Sequence, residues 1–193
     1  EVFLFDYAAV FSFSWCSSPY CSRIEPKIVK ANDRLSDAGK TYPGESATAE
    51  QIFRLAEEYR KAAHLLLQLG RRGDPLSRAP CRLSAIHAIE LYLNALLLFR
   101  GQETSRIRGL QHDLAARTEM AIANGLQLRK RTAEHLSAMA GNREYLVTRY
   151  GPEMTATISQ INRLTATLDE VANKVSAMMA APKGLASDAQ HLM

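Results

Sequence analysis

The sequence is poor in the residues that metal centres, disulfide frameworks and common catalytic motifs require. Its three cysteines, Cys16, Cys21 and Cys81, match neither a disulfide framework nor a metal-ligand spacing. It also lacks a glycine-rich phosphate loop, an internal repeat and a Ser/His/Asp arrangement of recognisable spacing. We therefore expect no metal and no cofactor, and the odd cysteine count favours the reducing cytoplasm.

Aromatic residues are also scarce, at 7% of the 193 residues, whereas apolar residues make up 47% and charged residues 23%. This composition is typical of a globular protein that is rich in helix. The formal net charge is +4, and the positive excess lies in the middle of the chain, between residues 47 and 150. Such a region fits either a nucleic-acid-binding face or an arginine-rich, solvated helix surface.

The two ends of the chain differ from its middle. Residues 2–15 are apolar, but Asp6 interrupts them and the run is too short to cross a bilayer. They also lack the basic start and cleavage site of a signal peptide. We interpret residues 1–46 as an atypical N-terminal extension that is either not native or poorly ordered, and residues 181–193 as a disordered tail. No membrane association is expected.

Between residues 47 and 180, apolar residues recur at helical spacing in five segments. The first is capped by Ser46 or Thr48 and ended by Gly70. Its apolar face is predicted to consist of Ile52, Leu55, Tyr59, Ala62, Leu66 and Leu69. The other helices are predicted at residues 80–99, 113–124, 127–149 and 153–179. The second is apolar around most of its circumference and is expected to be central. Short loops then predict an all-α, up-down antiparallel bundle of four to five helices.

Polar residues interrupt this pattern on the second and third helices. His87, Glu90 and Asn94 share one face of the second helix, where they either line a pocket or form a hydrogen-bonded stripe between helices. Asp113 is suited to cap the third helix. His112, directly before it, is either a general acid or base, because histidine titrates near neutral pH, or an ordinary surface side chain.

The predicted fourth helix carries a cation on its apolar face. The apolar spacing from Thr132 through Leu146, continued along the helix, places Arg143 and Tyr150 on that face. A guanidinium group there requires either an ion-pair partner, for which Glu90 is a candidate, or a bound anion. The two alternatives make Arg143 a structural residue or a ligand-binding residue.

Three segments together resemble a known family. Residues 87–98 (HAIELYLNALLL), 109–114 (GLQHDL) and 142–150 (NREYLVTRY) resemble, in order and spacing, the core of HEPN domains (higher eukaryotes and prokaryotes nucleotide-binding). The resemblance covers about residues 47–179. It implies an up-down helical bundle that dimerises. Many members are metal-independent endoribonucleases of toxin–antitoxin or defence systems, often paired with a nucleotidyltransferase, and others are nucleotide-binding or interaction modules.

The sequence departs from the ribonuclease members at one position. Those members carry an arginine, then four to six intervening residues, and then a histidine that moves protons during RNA cleavage. Arg143 matches the arginine, but the window after it ends on Thr148, Arg149 or Tyr150. Tyrosine is a weak base near neutral pH, so His112 is the remaining candidate for proton transfer.

The resemblance and its departure together lead to one main expectation. We expect a homodimer that binds RNA or a nucleotide without efficient catalysis. Arg143 and Arg149 would contact phosphate, and the residues around the same cleft would be His87, Glu90, Asn94, His112 and Tyr150. The alternatives are an endoribonuclease toxin, with Arg143, His112 and Tyr150 as catalytic candidates, and a non-catalytic protein-interaction subunit. A nucleotidyltransferase-type protein is a candidate partner.

Overall fold

The computed structural model describes residues 42–181, which form only helices, turns and loops, with no β-strand in that range. The seven α-helices there are α1 (Ala49–Leu67), α2 (Ala79–Phe99), α3 (Thr104–Gly109), α4 (Leu114–Ala123), α5 (Lys130–Gly141), α6 (Glu144–Tyr150) and α7 (Ile161–Ala180). Short 3-10 turns at Pro75–Arg78 and Pro152–Met154 precede α2 and follow α6. The all-α class is confirmed. The expectations for residues 1–41 and 182–193 lie outside the described residues.

Helix α2 is central, as its all-round apolar character predicts. It contacts α1, α4, α6 and α7, so nearly every side of it is covered by another helix. Its buried apolar side chains are Cys81, Ala85, Ile86, Ala88, Ile89, Leu91, Tyr92, Leu93, Ala95, Leu96 and Leu97. The segment Pro75–Phe99 has the length and apolar composition of a membrane span, and 61% of its most apolar window is buried within the chain. Core helices share that composition, and burial of this kind is what a core helix shows.

The N-terminal ends of α1 and α4 were predicted correctly, because each has a polar capping residue that is recognisable from the local sequence. Thr48 caps α1 in a capping box, in which its hydroxyl accepts from the Gln51 backbone N–H and the Gln51 side chain accepts from the Thr48 N–H. Asp113 caps α4 by accepting from the backbone N–H groups of Ala115 and Ala116 at 2.9 and 3.0 Å. Gly125 follows α4 with a φ of +97°, a conformation that glycine adopts at little cost.

The predicted apolar face of α1 is only partly right, because Ile52 and Leu66 pack against the core but three of its other members do not. Leu55, Tyr59 and Leu69 are 44%, 37% and 67% exposed, whereas Ala56 and Ala63 are fully buried against the core. Two alanines seven residues apart leave little side chain between the helices, so α2 approaches closely, and the Cys81 thiol donates to the Ala63 carbonyl at 3.3 Å. The helix is therefore rotated by about one residue relative to the prediction.

The predicted fourth helix is also wrong, because it is two helices. α5 ends at Gly141, and Arg143 adopts a left-handed backbone conformation with φ 51° and ψ 39° before α6 begins. This break stops the apolar spacing from continuing, so Arg143 is exposed and Tyr150 is 76% exposed, not on the core face. The predicted fifth helix corresponds to α7. This helix begins at Ile161, eight residues later than predicted, after the 3-10 turn that begins at Pro152.

Candidate functional site

A buried ion pair between α2 and α4 organises the polar residues of the bundle. The Glu90 carboxylate lies 3.3 Å from His112 Nδ1 through Oε2 and 3.6 Å from Arg117 Nη2 through Oε1. Arg117 is only 2% exposed, and its Nε donates to Asn94 Oδ1 at 2.6 Å. We call Glu90, Asn94, His112 and Arg117 the Glu90 cluster. Glu90 therefore pairs with His112 and Arg117, and the predicted pair between Glu90 and Arg143 is not formed.

Arg117 also holds the loop that carries His112. Its Nη2 donates to the Gln111 carbonyl at 2.7 Å, and Gln111 adopts a positive φ of 47°. A non-glycine residue in that conformation is strained, so a charge-assisted hydrogen bond to its carbonyl helps to keep the turn. Burial lowers the pKa of Arg117 from its usual value, while Glu90 and Asp113 oppose the shift. The group remains a cation at neutral pH.

His87 lies one helical turn before Glu90 and faces the same region. Its ring packs edge-on against Tyr59, with 4.5 Å between the ring centroids, and its Nδ1 is buried without a partner among residues 42–181. Burial lowers the pKa of His87, the carboxylate of Glu90 opposes this, and the charge of Arg149 adds to the lowering. His87 is therefore neutral at physiological pH, and Arg149 lies near enough to act on it.

Two cavities adjoin the Glu90 cluster. The first, called the Glu90 cavity, has a volume of about 660 Å³, and all four members of the cluster line it together with His87. The second, called the Arg143 cavity, has a volume of about 470 Å³. Its lining includes Arg143 and Tyr145, and His112 and Gln111 line both cavities. The His112 and Tyr145 rings are 5.0 Å apart, so the imidazole stands between the two spaces.

The structure brings some of the predicted site residues together and separates others. His87, Glu90 and Asn94 line one cavity, as their helical spacing suggested, and His112 lines it with them; Arg143 meets His112 at the other cavity. Tyr150 lies instead in a groove with Leu146 and Met154, which does not include His112. Arg143 also lines this groove, so Tyr150 is separated from His112 but not from Arg143.

Sequence reasoning missed Arg117, Gln111 and Tyr145. The burial of Arg117 could have been found, because Leu114, Arg117 and Ala121 share one face of a short helix that must pack on α2. The left-handed turn at Gln111 and the contact of Tyr145 depend on tertiary structure. Within residues 42–181, no three His, Cys, Asp or Glu side chains are arranged to hold a metal ion.

The comparisons with known proteins add no relative. No protein-family model, no curated protein and no solved structure matches this chain. The resemblance to HEPN domains therefore depends on the sequence motifs alone. The chemistry of the site is argued from the geometry described above.

Proposed function

We propose that this chain is a HEPN-like, up-down helical bundle that binds RNA or a nucleotide, as a homodimer in the cytoplasm and without efficient catalysis. The observation that carries the proposal is the position of Arg143. Its side chain is exposed, has no hydrogen bond or ion pair within the described part of the chain, and lines the same cavity as His112. A guanidinium group with its donors free is well suited to bind a phosphate.

Further positive charge lies around the same surface. Arg149 is exposed and acts electrostatically on His87. Arg108 lines the Glu90 cavity, with its guanidinium 4.7 Å from the centre of the Tyr42 ring. An anionic chain following the two cavities would meet Arg143 and Arg108, with the charge of Arg149 acting near His87, and single-stranded RNA carries one phosphate per nucleotide. The rings of His112 and Tyr145 offer surfaces on which RNA bases can stack.

The Glu90–His112 pair favours a second candidate function, a metal-independent endoribonuclease. A carboxylate that holds Nδ1 of a histidine fixes the ring and leaves Nε2 for proton transfer, which cleavage through the RNA 2′-hydroxyl requires. Arg143 lines both the cavity of His112 and the groove of Tyr150, but a tyrosine hydroxyl is a weak base near neutral pH, so His112 is the stronger candidate for proton transfer beside Arg143. One histidine per chain in a position to transfer protons favours RNA binding with weak catalysis over efficient cleavage.

Changing Arg143 to alanine is expected to weaken RNA binding about tenfold, which corresponds to about 1.4 kcal/mol. The loss of one phosphate contact should also reduce the salt dependence of the binding constant by about 0.7 in logarithmic slope. The measurement is fluorescence anisotropy of the full chain with a labelled single-stranded RNA in chelator. Lys130→Ala removes a comparable charge at the opposite end of α5 and should bind like the wild type. Equal weakening by both variants would show general charge attraction and would contradict the site.

The backbone of Arg143 provides a second, independent prediction. Glycine adopts a left-handed conformation without the steric cost that a Cβ atom imposes, so Arg143→Gly should raise the free energy of unfolding by about 1 kcal/mol. Arg143→Ala keeps the Cβ and should leave stability almost unchanged. Both variants should bind RNA equally weakly, as measured by thermal melting and anisotropy on the same samples. If Arg143→Ala unfolds the chain, the side chain has a structural role and the proposed contact with phosphate fails.

RNA cleavage decides between the two candidate functions. The full chain is incubated with labelled RNA in chelator, beside His112→Ala and Arg143→Ala. Intact RNA in all samples, with binding retained by the wild type, is the expected result. Cleavage by the wild type that disappears in His112→Ala would instead establish the ribonuclease, with His112 in place of the absent histidine.

A further inference from the structure

A third cavity, lined by arginines, lies away from the proposed RNA site. Its volume is about 500 Å³, and it is enclosed by the loop between α1 and α2, the start of α2 and the connection between α6 and α7. It shares no lining residue with the Glu90 cavity or the Arg143 cavity. Four guanidinium groups line it against one carboxylate, that of Asp74. We call it the Arg82 cavity.

Arg82 is the innermost of these cations. It is only 6% exposed, and its Nε and Nη1 atoms are buried without a hydrogen-bond partner among residues 42–181. The carboxylate of Glu144 attracts Arg82, but its two oxygens accept from the backbone N–H and the hydroxyl of Ser159, each at 2.9 Å. Burial lowers the pKa of Arg82 from its usual value. A buried guanidinium with unused donors is costly unless an anion binds it.

The rest of the lining also favours an anion. The Nε of Arg78 is buried without a partner in the described part of the chain, and Arg72 is exposed at the rim. Arg71 is already paired with Asp74 at 2.7 Å. The first turn of the 20-residue helix α7 also lines the cavity, and its N-cap Gln160 makes no side-chain cap hydrogen bond. Its free backbone N–H groups and helix dipole add to the attraction for negative charge.

Gly70 allows Arg78 to reach this position. A Cβ atom at residue 70 would come within 2.8 Å of Arg78 Cγ, closer than such atoms approach, and would make a tight contact of 3.0 Å with Arg78 Nε. The backbone φ of Gly70 is ordinary for any residue, so its missing side chain, not its conformational freedom, is what the structure uses. The close approach holds Arg78 against the end of α1, beside Arg82 in the lining of the cavity.

We propose that the Arg82 cavity is a second anion site, which binds a phosphate group as inorganic phosphate or as the terminal phosphate of a mononucleotide. Arg82 and Arg78 would donate to its oxygens, and Arg72 and the start of α7 would add attraction. Planar guanidinium groups match phosphate geometry, and several of them together favour a dianion over a carboxylate. Because Arg82 is recessed, a terminal phosphate reaches it more readily than the internal phosphates of an RNA chain.

The test is thermal melting of the full chain at constant ionic strength, with inorganic phosphate, AMP or adenosine added. A ligand that binds the folded state raises the melting temperature as its concentration rises. Phosphate and AMP should therefore raise it, and adenosine should not. A lower half-saturating concentration for AMP identifies a nucleotide phosphate, and equal values identify phosphate itself.

Arg82→Met is expected to abolish the phosphate-dependent rise. Its melting temperature without phosphate should change little, because the substitution removes a buried cation with unused donors but also removes the attraction of that cation for the buried Glu144 carboxylate. Arg106→Met makes the same change on the exposed face of α3 and should keep the rise. Gly70→Ala retains all four arginines but displaces Arg78, so it should weaken the response, and it decides the case if Arg82→Met does not fold. A rise that persists in both cavity variants, or no rise in the wild type, would overturn the proposal. Because the Arg143 cavity is separate, Arg143→Ala should keep the phosphate response even if RNA binding fails.

Discussion

Replacing Arg117 by methionine is expected to lower the free energy of unfolding by about 3–5 kcal/mol. The substitution leaves the Glu90 carboxylate buried with only the half-exposed His112 as a partner, and it removes the hydrogen bonds to Asn94 and the Gln111 carbonyl. A buried charge that loses its counterion costs far more than a surface pair does. Urea unfolding followed by circular dichroism measures the loss.

Two controls show whether the loss comes from the buried pair. Arg108→Met removes an exposed guanidinium that stacks on Tyr42, so its expected cost is below about 1 kcal/mol. In the double variant Glu90→Leu, Arg117→Met, both buried charges are gone, so the chain should recover much of the stability lost in Arg117→Met. Equal effects of Arg117→Met and Arg108→Met, or additive effects of the two changes at Glu90 and Arg117, would contradict the description of the Glu90 cluster.

Arg117 also bears on function, because it positions the loop that carries His112. If the Gln111 turn relaxes in Arg117→Met, the imidazole moves relative to Arg143, and the two no longer line the same cavity. RNA binding should therefore weaken in this variant although Arg117 is too buried to contact RNA itself. Arg117 is in this sense a positioning residue.

The parts of the fold that the sequence predicted correctly are those with local signals. The capping box of Thr48 and Gln51 and the cap at Asp113 involve residues at most three apart, so the pattern of residue types is enough to locate them. The central position of α2 follows from its all-round apolar composition. The sequence placed Glu90 and His112 at one site from two signals. Helical spacing put Glu90 on the polar face of the second helix, and the order of the family motifs put His112 near that face.

The errors arise where tertiary packing decides. Periodicity shows that α1 has an apolar side, but the fully buried alanines Ala56 and Ala63, not the larger Leu55 and Tyr59, determine which side α2 covers. The break at Arg143 has only Gly141 and Asn142 as local signals, and a helix can pass through both. Once that break was missed, the extrapolated face put Arg143 in the core and suggested Glu90 as its partner. The true buried partner, Arg117, lies on another helix.

The pH dependence of stability is the second large expected effect, and His135 is its main source. This histidine on α5 is 2% exposed, its Nδ1 lies 2.7 Å from the Thr167 hydroxyl, and its Nε2 has no partner in residues 42–181. Burial lowers the pKa of His135 from 6.5 to about 4, and the charges of Arg163 and Arg82 act in the same direction. The folded protein therefore keeps this ring neutral in mildly acidic solution.

The sign of the effect follows from proton binding in the two states. Between pH 6.5 and about 4 the unfolded chain protonates this histidine and the folded chain does not, so stability falls as the pH falls. Above pH 6.5 neither state is protonated, and below about 4 both are, so the loss is confined to that window. A shift of this size corresponds to roughly 3 kcal/mol. His87, whose pKa is also lowered by burial, adds a loss of the same sign.

His135→Asn isolates this contribution, because an asparagine amide can replace Nδ1 in the hydrogen bond to Thr167 but does not titrate. The variant should be less stable than the wild type at pH 7, since the smaller side chain leaves a cavity, and it should lose much less stability between pH 7 and 4. Thr167→Val keeps the histidine and should preserve the steep loss at a lower overall stability. The measurement is the urea unfolding free energy at half-unit steps of pH. Parallel curves for the wild type and His135→Asn would mean that His135 takes up its proton in the folded chain, and that burial does not keep it neutral.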